Sequence, residues 1–157
     1  MEKKLTVRRV FKDMNKNSES IILFDSISNL ADLAKMSNKN ASKIISFDYD
    51  THKALNDKKI NHETSDRYLS KNDLKIIQKT AYSISEWYNS DIISKDISYN
   101  GVNLGSLVKA ELINILVNYI KKFFELYKIS NQFINCTFIG SQTCCKIMEN
   151  FSKKIIE

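Results

Sequence analysis

The chain has 157 residues, of which 43% are hydrophobic and 27% charged, as is usual for a folded globular protein and not for a disordered one. It contains three glycines and no proline, which argues against all-β architectures, since these depend on Gly- and Pro-rich turns. The formal net charge of +6 suits an anionic partner, but the cations are mainly lysines spread along the chain, as on a solvated surface. We therefore expect no nucleic acid partner.

The length fits one domain over residues 1–157, with residues 1–20 as an N-terminal arm or a first strand at 5–11. Cys136, Cys144 and Cys145 lack the spacing of metal ligands, and we expect reduced, mostly buried thiols of a cytosolic protein. The first 13 residues are too charged for a secretory signal, and no segment reaches the roughly 18–20 apolar residues that span a bilayer. These features predict a cytoplasmic protein without a metal site or a resident cofactor.

Two compact apolar runs predict a β-α-β unit near the start of the chain. Residues 21–24 are typical of a buried strand, and residues 44–47 of a second one. Between them Ser28 is placed to cap a helix over residues 29–36. The connection predicts two parallel strands.

The remaining elements continue an α/β pattern. We expect helical turns at 53–59, a weak strand at 60–64, and a helix from a Ser70/Asp73 capping box to residues 88–89, with Trp87 and Tyr88 as a core anchor. An irregular segment at 92–103 precedes a long amphipathic helix at 104–126, whose apolar face is expected to pack on the sheet. A last strand at 133–139 and a helix at 142–156 close the chain. The fold class is Rossmann-like three-layer α/β/α, with a mostly parallel sheet and a long helix in the C-terminal half.

Polar side chains follow the predicted strand at 44–47. Asp48 and Asp50 have the spacing of the two carboxylates in haloacid dehalogenase-type phosphatases, where they hold Mg²⁺. That motif has Thr or Val two residues after the second Asp, whereas this chain has His52, which has the intrinsic pKa of a general base. We take Asp48, Asp50 and His52 as candidate catalytic residues, with a magnesium-dependent phosphatase as one alternative.

Candidate binding residues lie at the ends of the other strands and before the long helix. The turn at 140–141 could hold a phosphate or carboxylate on its backbone N–H groups, or could be an ordinary strand-to-helix turn. Residues 99–106 are rich in the hydrogen-bonding and stacking groups that suit a sugar. The candidate binding residues are Asp25, Ser26, Tyr99, Gly101, Asn103, Gly105, Ser106, Gly140 and Ser141.

A set of short motifs in this order resembles the amino-terminal domain of GT-B-type glycosyltransferases that build surface polysaccharides. The resemblance extends over residues 21–139. The motifs that carry it are Ser46-Phe47-Asp48-Tyr49-Asp50-Thr51-His52-Lys53, Ile60, His62, Ser65-Asp66, Tyr68-Leu69-Ser70, Trp87-Tyr88, Gly101 and Asn103-Leu104-Gly105, and Asp25-Ser26 with Ser28-Asn29 fits the same pattern upstream.

The resemblance implies the acceptor-side half of a glycosyltransferase. In such enzymes this domain receives the glycan or sugar acceptor, and a carboxyl-terminal domain binds the nucleotide-sugar donor. A donor domain is absent from the 157 residues, so the resemblance implies a donor-domain partner chain or a longer product. It also implies a location at the inner face of the membrane, by peripheral association. A noncatalytic interaction module is the other alternative.

Overall fold

The computed structural model describes residues 19–28, 43–152 and 155–156, with the side chains of Asp91 and Ile156 excepted. These residues belong to two compact units, one formed by the described parts of 1–66 and 129–157 and the other by Arg67–Lys128. The predicted strand at 5–11 and the predicted helix at 29–36 lie outside the described residues. We call the two units the first and second unit.

The strands and helices follow one another along the chain with short connections. The strands are β1 (Ser20–Phe24), β2 (Lys43–Ser46), β3 (Glu63–Thr64), β4 (Ser98–Tyr99), β5 (Val102–Asn103), β6 (Thr137–Gly140) and β7 (Ile155–Ile156). The α-helices are α1 (Tyr49–Asp57), α2 (Lys71–Ser85), α3 (Asp91–Ser94), α4 (Leu104–Leu107), α5 (Lys109–Gln132) and α6 (Gln142–Met148). Single 3₁₀ turns lie at Ser65–Tyr68 and Trp87–Asn89.

The first unit is built on a five-stranded sheet in the order β3-β2-β1-β6-β7, in which every pair is parallel. The chain passes outward from β1 through β2 to β3 and then returns to the other side of β1 as β6. The order therefore reverses between β1 and β6, and this reversal is the switch point at which open α/β sheets bind ligands. The Rossmann-like α/β fold class predicted from the sequence is confirmed.

The core of the first unit lies on the central strand. All five residues of β1 are buried, as expected for a parallel strand covered on both faces. Leu55 of α1 packs with Ile22, Phe24 and Ile44 in one buried cluster. The apolar run at 21–24 is thus a buried strand, as predicted.

Helix α1 begins four residues earlier than predicted, at Tyr49 instead of residue 53. The reason is a capping box: Thr51 N donates to Asp48 Oδ1 at 2.8 Å, and Asp48 N donates to Thr51 Oγ1 at 3.4 Å. The residues that follow β2 therefore belong to a helix rather than to an open loop. The capping box predicted at Ser70 and Asp73 is confirmed at the start of α2.

The second unit contains more regular structure than predicted between residues 92 and 103. Helix α3 is followed by a two-stranded antiparallel hairpin of β4 and β5. Asn100 and Gly101 form its turn with φ values of 49° and 79°, the left-handed pair that two-residue hairpins require. Tyr88 is buried as predicted, whereas the neighbouring Trp87 is 42% exposed and is not a core anchor.

Further predictions fail in the C-terminal half of the chain. The predicted long helix is interrupted at Val108, and α5 then extends to Gln132. Because the helix ends later than predicted, the last predicted strand begins later and comprises only Thr137–Gly140. No residue from 106 to 124 is buried, which contradicts the expected core packing of the apolar face over most of this helix. The closing helix ends at Met148, and the β-branched pair Ile155–Ile156 instead adds β7 beside β6.

Candidate functional site

A buried carboxylate lies at the switch point of the first unit. Asp25 follows β1 directly and is only 2% exposed. Its Oδ2 accepts a hydrogen bond from Ser141 Oγ at 2.8 Å and one from Cys144 Sγ at 3.4 Å, and its Oδ1 accepts one from Ser28 Oγ at 2.9 Å. These bonds join the carboxyl ends of β1 and β6. Asp25 is therefore the buried residue beneath the exposed groups at this edge of the sheet.

Asp48 connects the two loops that follow β1 and β2. Its Oδ1 caps α1 through Thr51 N, and its Oδ2 accepts a hydrogen bond from Ser26 N at 2.9 Å. Both carboxylate oxygens are therefore engaged by backbone N–H groups. This arrangement fixes the loop at Ser26 and gives Asp48 a structural role.

The groups that this edge presents to solvent lie on either side of Asp25. Ser26 and Asp50 are exposed after β1 and β2, and Gln142 and Thr143 are exposed after β6. Tyr49 is 74% exposed in the first turn of α1. A sheet edge that carries an exposed phenol ring together with exposed hydroxyl, amide and carboxylate groups is suited to a ligand that has both an apolar face and hydroxyls.

His52 is bonded to the second histidine of the chain, which the sequence did not pair with it. His52 Nδ1 lies 2.8 Å from His62 Nε2, and the rings meet edge to face with centroids 4.9 Å apart. His62 Nδ1 lies 2.8 Å from Ile60 O, and His52 Nε2 lies 3.0 Å from Asn56 Nδ2. Both rings are half-buried.

The backbone carbonyl determines the tautomers of this pair. A carbonyl only accepts, so the His62 Nδ1 that faces Ile60 O carries a proton and, in the neutral ring, Nε2 accepts. His52 Nδ1 must then donate to it, which leaves His52 Nε2 as a basic nitrogen with a lone pair. The side-chain amide of the exposed Asn56 faces that nitrogen.

Gly140 and Ser141 serve the junction of β6 and α6. A Cβ on Gly140 would lie 3.1 Å from Leu23 Cβ and 3.2 Å from Leu23 O, so glycine allows β6 to approach β1 closely. Ser141 caps α6 by accepting a hydrogen bond from Cys144 N at 3.3 Å. With seven residues α6 is short, and the arrangement is that of a strand-to-helix turn.

The candidate binding residues between positions 99 and 106 lie in the second unit. Gly101 is in the hairpin turn, and Tyr99 is exposed on β4. Asn103 Oδ1 accepts from Gly105 N at 2.9 Å, and Ser106 Oγ donates to Asn103 O at 2.6 Å, so both side chains stabilise the start of α4. A Cβ on Gly105 would lie 2.4 Å from Tyr88 Cβ, so its glycine is required by packing.

The ion pairs of Asp73 with Lys128 and of Lys109 with Glu86 shift the pKa values of groups in the second unit. The Ser70 hydroxyl, and after it Lys128, lowers the pKa of Asp73 to about 2. Lys128 Nζ lies 2.9 Å from Asp73 Oδ1. The contacts of Lys109 with Tyr82 and then Glu86 raise the pKa of its ammonium group. These charges connect helices and are part of the scaffold.

Within the described ranges, no group of three His, Cys, Asp or Glu side chains is placed to hold a metal ion. The three cysteines are buried thiols, as predicted, and none of them is in a disulfide bond. Among the helices that the structure describes, none combines the length and the hydropathy needed to cross a membrane. Comparisons with family models, with curated proteins and with solved structures returned no match.

Sequence reasoning did not include Tyr49, His62, Gln142 and Thr143 among the candidate site residues. The position of Tyr49 directly after a strand-end Asp could have indicated the first residue of a helix, because Asp is a favoured N-cap. The partnership of His62 with His52 depends on the length of α1 and its loop, for which the sequence has no local signal.

Proposed function

We propose that the first unit is the acceptor-side domain of a glycosyltransferase for surface polysaccharide or glycan assembly. A sugar acceptor would bind at the carboxyl edge of the sheet, over Asp25 and beside the switch point. The single observation that carries this proposal is that this edge has exposed hydrogen-bonding groups, the exposed ring of Tyr49 and the buried, hydrogen-bonded carboxylate of Asp25. The motif resemblance to the amino-terminal domains of GT-B enzymes supports the same conclusion.

The chemistry of a sugar matches the groups at this edge. A pyranose has an apolar C–H face, which an aromatic ring such as that of Tyr49 can cover, and several hydroxyls, which Ser26 and Asp50 can bind. The loop that carries Ser26 is held by Asp48, and rigid support of this kind is what a specific site needs. The donor would be a nucleotide sugar bound by a donor domain on another part of the polypeptide or on a partner chain.

Of the three candidate catalytic residues, His52 fits a base best. The oxygens of Asp48 are both engaged by backbone N–H groups, whereas His52 Nε2 has a lone pair that faces the side-chain amide of the exposed Asn56. In an inverting transfer, this nitrogen would take the proton of the acceptor hydroxyl as the hydroxyl oxygen attacks the anomeric carbon and the nucleoside diphosphate leaves. His62 would hold the ring in the required tautomer.

The test is the binding of sugars to the purified chain, followed by saturation-transfer NMR over a panel of monosaccharides and disaccharides. Tyr49→Ala should abolish the saturation transfer. Ile134→Ala is the matched control, since Ile134 is 77% exposed but precedes β6 at the opposite edge of the sheet. Equal binding by the two variants would overturn the assignment of the acceptor edge.

Transfer itself is tested by mixing the chain with a candidate donor-domain polypeptide and a labelled nucleotide sugar. We expect His52→Gln to lose transfer while it retains sugar binding. Transfer at the wild-type rate by this variant would remove His52 from the mechanism.

A location in the cytoplasm, at the inner face of the membrane, belongs to this proposal. No feature of the geometry favours the phosphatase alternative, because a nucleophilic Asp48 would need an oxygen that is not already bonded to backbone N–H groups. The interaction-module alternative is favoured by one observation, namely the exposed apolar side chains of α5.

A further inference from the structure

Helix α5 carries an apolar stripe that the protein leaves exposed. The stripe consists of Val108, immediately before the helix, and of Leu112, Ile115, Tyr119 and Phe123, at spacings of four, three, four and four residues. Leu112 is half-buried, and the other four side chains are exposed. Ile115 is 65% exposed and Tyr119 is 59% exposed. Such a row of large apolar side chains is typical of a protein interaction surface, because isolated soluble domains rarely expose contiguous apolar patches.

Two charged residues flank this stripe. Glu111 and Lys122 lie about three helical turns apart and therefore on the same side of the helix. Glu111 is exposed, and Lys122 is half-buried. The side chains between them on the polar face include the neutral Asn114 and Asn118. A helix that binds anionic lipid carries lysines on its polar face, so the presence of both signs argues for a protein partner instead.

The position of the charges specifies that partner. The midpoint of Glu111 and Lys122 falls between residues 116 and 117, and the midpoint of the stripe falls between residues 115 and 116. A two-fold axis at this point would place Glu111 of each copy against Lys122 of the other, while the two stripes cover each other. Flanking charges on the same side meet in this way only when the helices are antiparallel.

We infer that α5 is a self-association surface and that a second copy of this chain, antiparallel to the first, covers the stripe. The interface is isologous and centred on Ile115 and Leu116. It is independent of the proposed sugar site, which lies in the first unit, and either proposal can fail without the other.

Sedimentation velocity of the full chain, from micromolar to millimolar concentrations, measures the association. We expect a monomer–dimer equilibrium that Glu111→Lys and Lys122→Glu each weaken roughly tenfold, because each creates two like-charge contacts. The double variant should restore dimerisation. Lys75→Glu on α2, an exposed lysine outside this surface, should leave it unchanged.

Disulfide trapping tests the orientation. The natural cysteines are buried, so a new surface cysteine is the reactive one. Ile115→Cys, near the axis, should form a covalent dimer on oxidation, whereas Val108→Cys, which faces Phe123 of the second copy, should not. A chain that stays monomeric at millimolar concentration, a double variant that does not recover, or equal trapping at both positions would overturn the proposal. Monomers that bind anionic lipid vesicles through the stripe would also overturn it.

Discussion

Ser141 donates a hydrogen bond to the buried carboxylate of Asp25 over 2.8 Å, and the two residues are separated by 116 positions in the chain. The bond joins the ends of β1 and β6 at the point where the strand order reverses. It keeps the Asp25 carboxyl group at the base of the proposed sugar site in one orientation.

Replacement of Ser141 by alanine should destabilise the first unit. The variant loses a hydrogen bond to a buried carboxylate and the N-cap of α6, which together predict a loss of about 1–3 kcal/mol. Thr143→Ala, two residues further on and exposed, is the matched control and should stay close to the wild type. Urea unfolding followed by circular dichroism measures both, and equal midpoints would contradict the role given to Ser141.

The histidine pair should show an unusual tautomer in both rings. Because His62 Nδ1 donates to Ile60 O and His52 Nδ1 donates to His62 Nε2, each neutral ring carries its proton on Nδ1. Long-range ¹H–¹⁵N spectra at neutral pH distinguish the two nitrogens of each ring. His62→Ala should release His52 from this tautomer, whereas Asn56→Ala should preserve it; an Nε2–H form of His62 would contradict the network.

Glycine at position 105 should be required for the stability of the second unit. A methyl group there would lie 2.4 Å from Tyr88 Cβ, so Gly105→Ala is expected to cost about 1–3 kcal/mol through overpacking. Gly101→Asn is the control, since no atom lies within 4 Å of a Cβ at that position and asparagine tolerates its φ of 79°. Fluorescence of Trp87, the single tryptophan, reports unfolding of this unit. A Gly105→Ala variant as stable as Gly101→Asn would refute the packing argument.

The second unit should lose stability in acid through Asp73. Its folded-state pKa of about 2, set first by the Ser70 hydroxyl and then by Lys128, lies below that of the unfolded chain. The contribution is therefore fully present above about pH 4 and is lost as the pH falls through about 2. Asp73→Asn should flatten the dependence of the Trp87 unfolding midpoint on pH in this window. Asp96→Asn, at an exposed position, should keep the wild-type slope, and a steep slope in Asp73→Asn would contradict the assignment.

The buried strands and the caps could be predicted because their signals are local. The run at 21–24 is apolar throughout, and Ser70 with Asp73 has the spacing of a capping box. The sequence predicts too late a start for helix α1, because Asp48 and Thr51 are as common in loops as in a capping box. The strand Ile155–Ile156 was missed because its partner β6 lies far earlier in the sequence, and pairing of this kind has no local signature.

The candidate site could be predicted only in part, for the same reason. Strand-end positions of Asp25, Asp48 and Ser141 follow from the strand pattern, but the hydrogen bonds that they form follow from the strand order. The spacing of apolar residues predicts the apolar face of α5 but not its exposure to solvent. A helix that packs in a core and a helix that forms an interface have the same spacing of apolar residues.

Chemical-shift mapping of a bound sugar tests the acceptor-edge proposal most directly. In ¹H–¹⁵N spectra of the full chain, titration with a sugar from the binding panel should shift the amides of residues 26–28, 49–52 and 141–143. Tyr49→Ala should remove these shifts at the same sugar concentration. Shifts confined to other residues, or shifts that survive in Tyr49→Ala, would contradict a sugar site at the carboxyl edge of β1, β2 and β6.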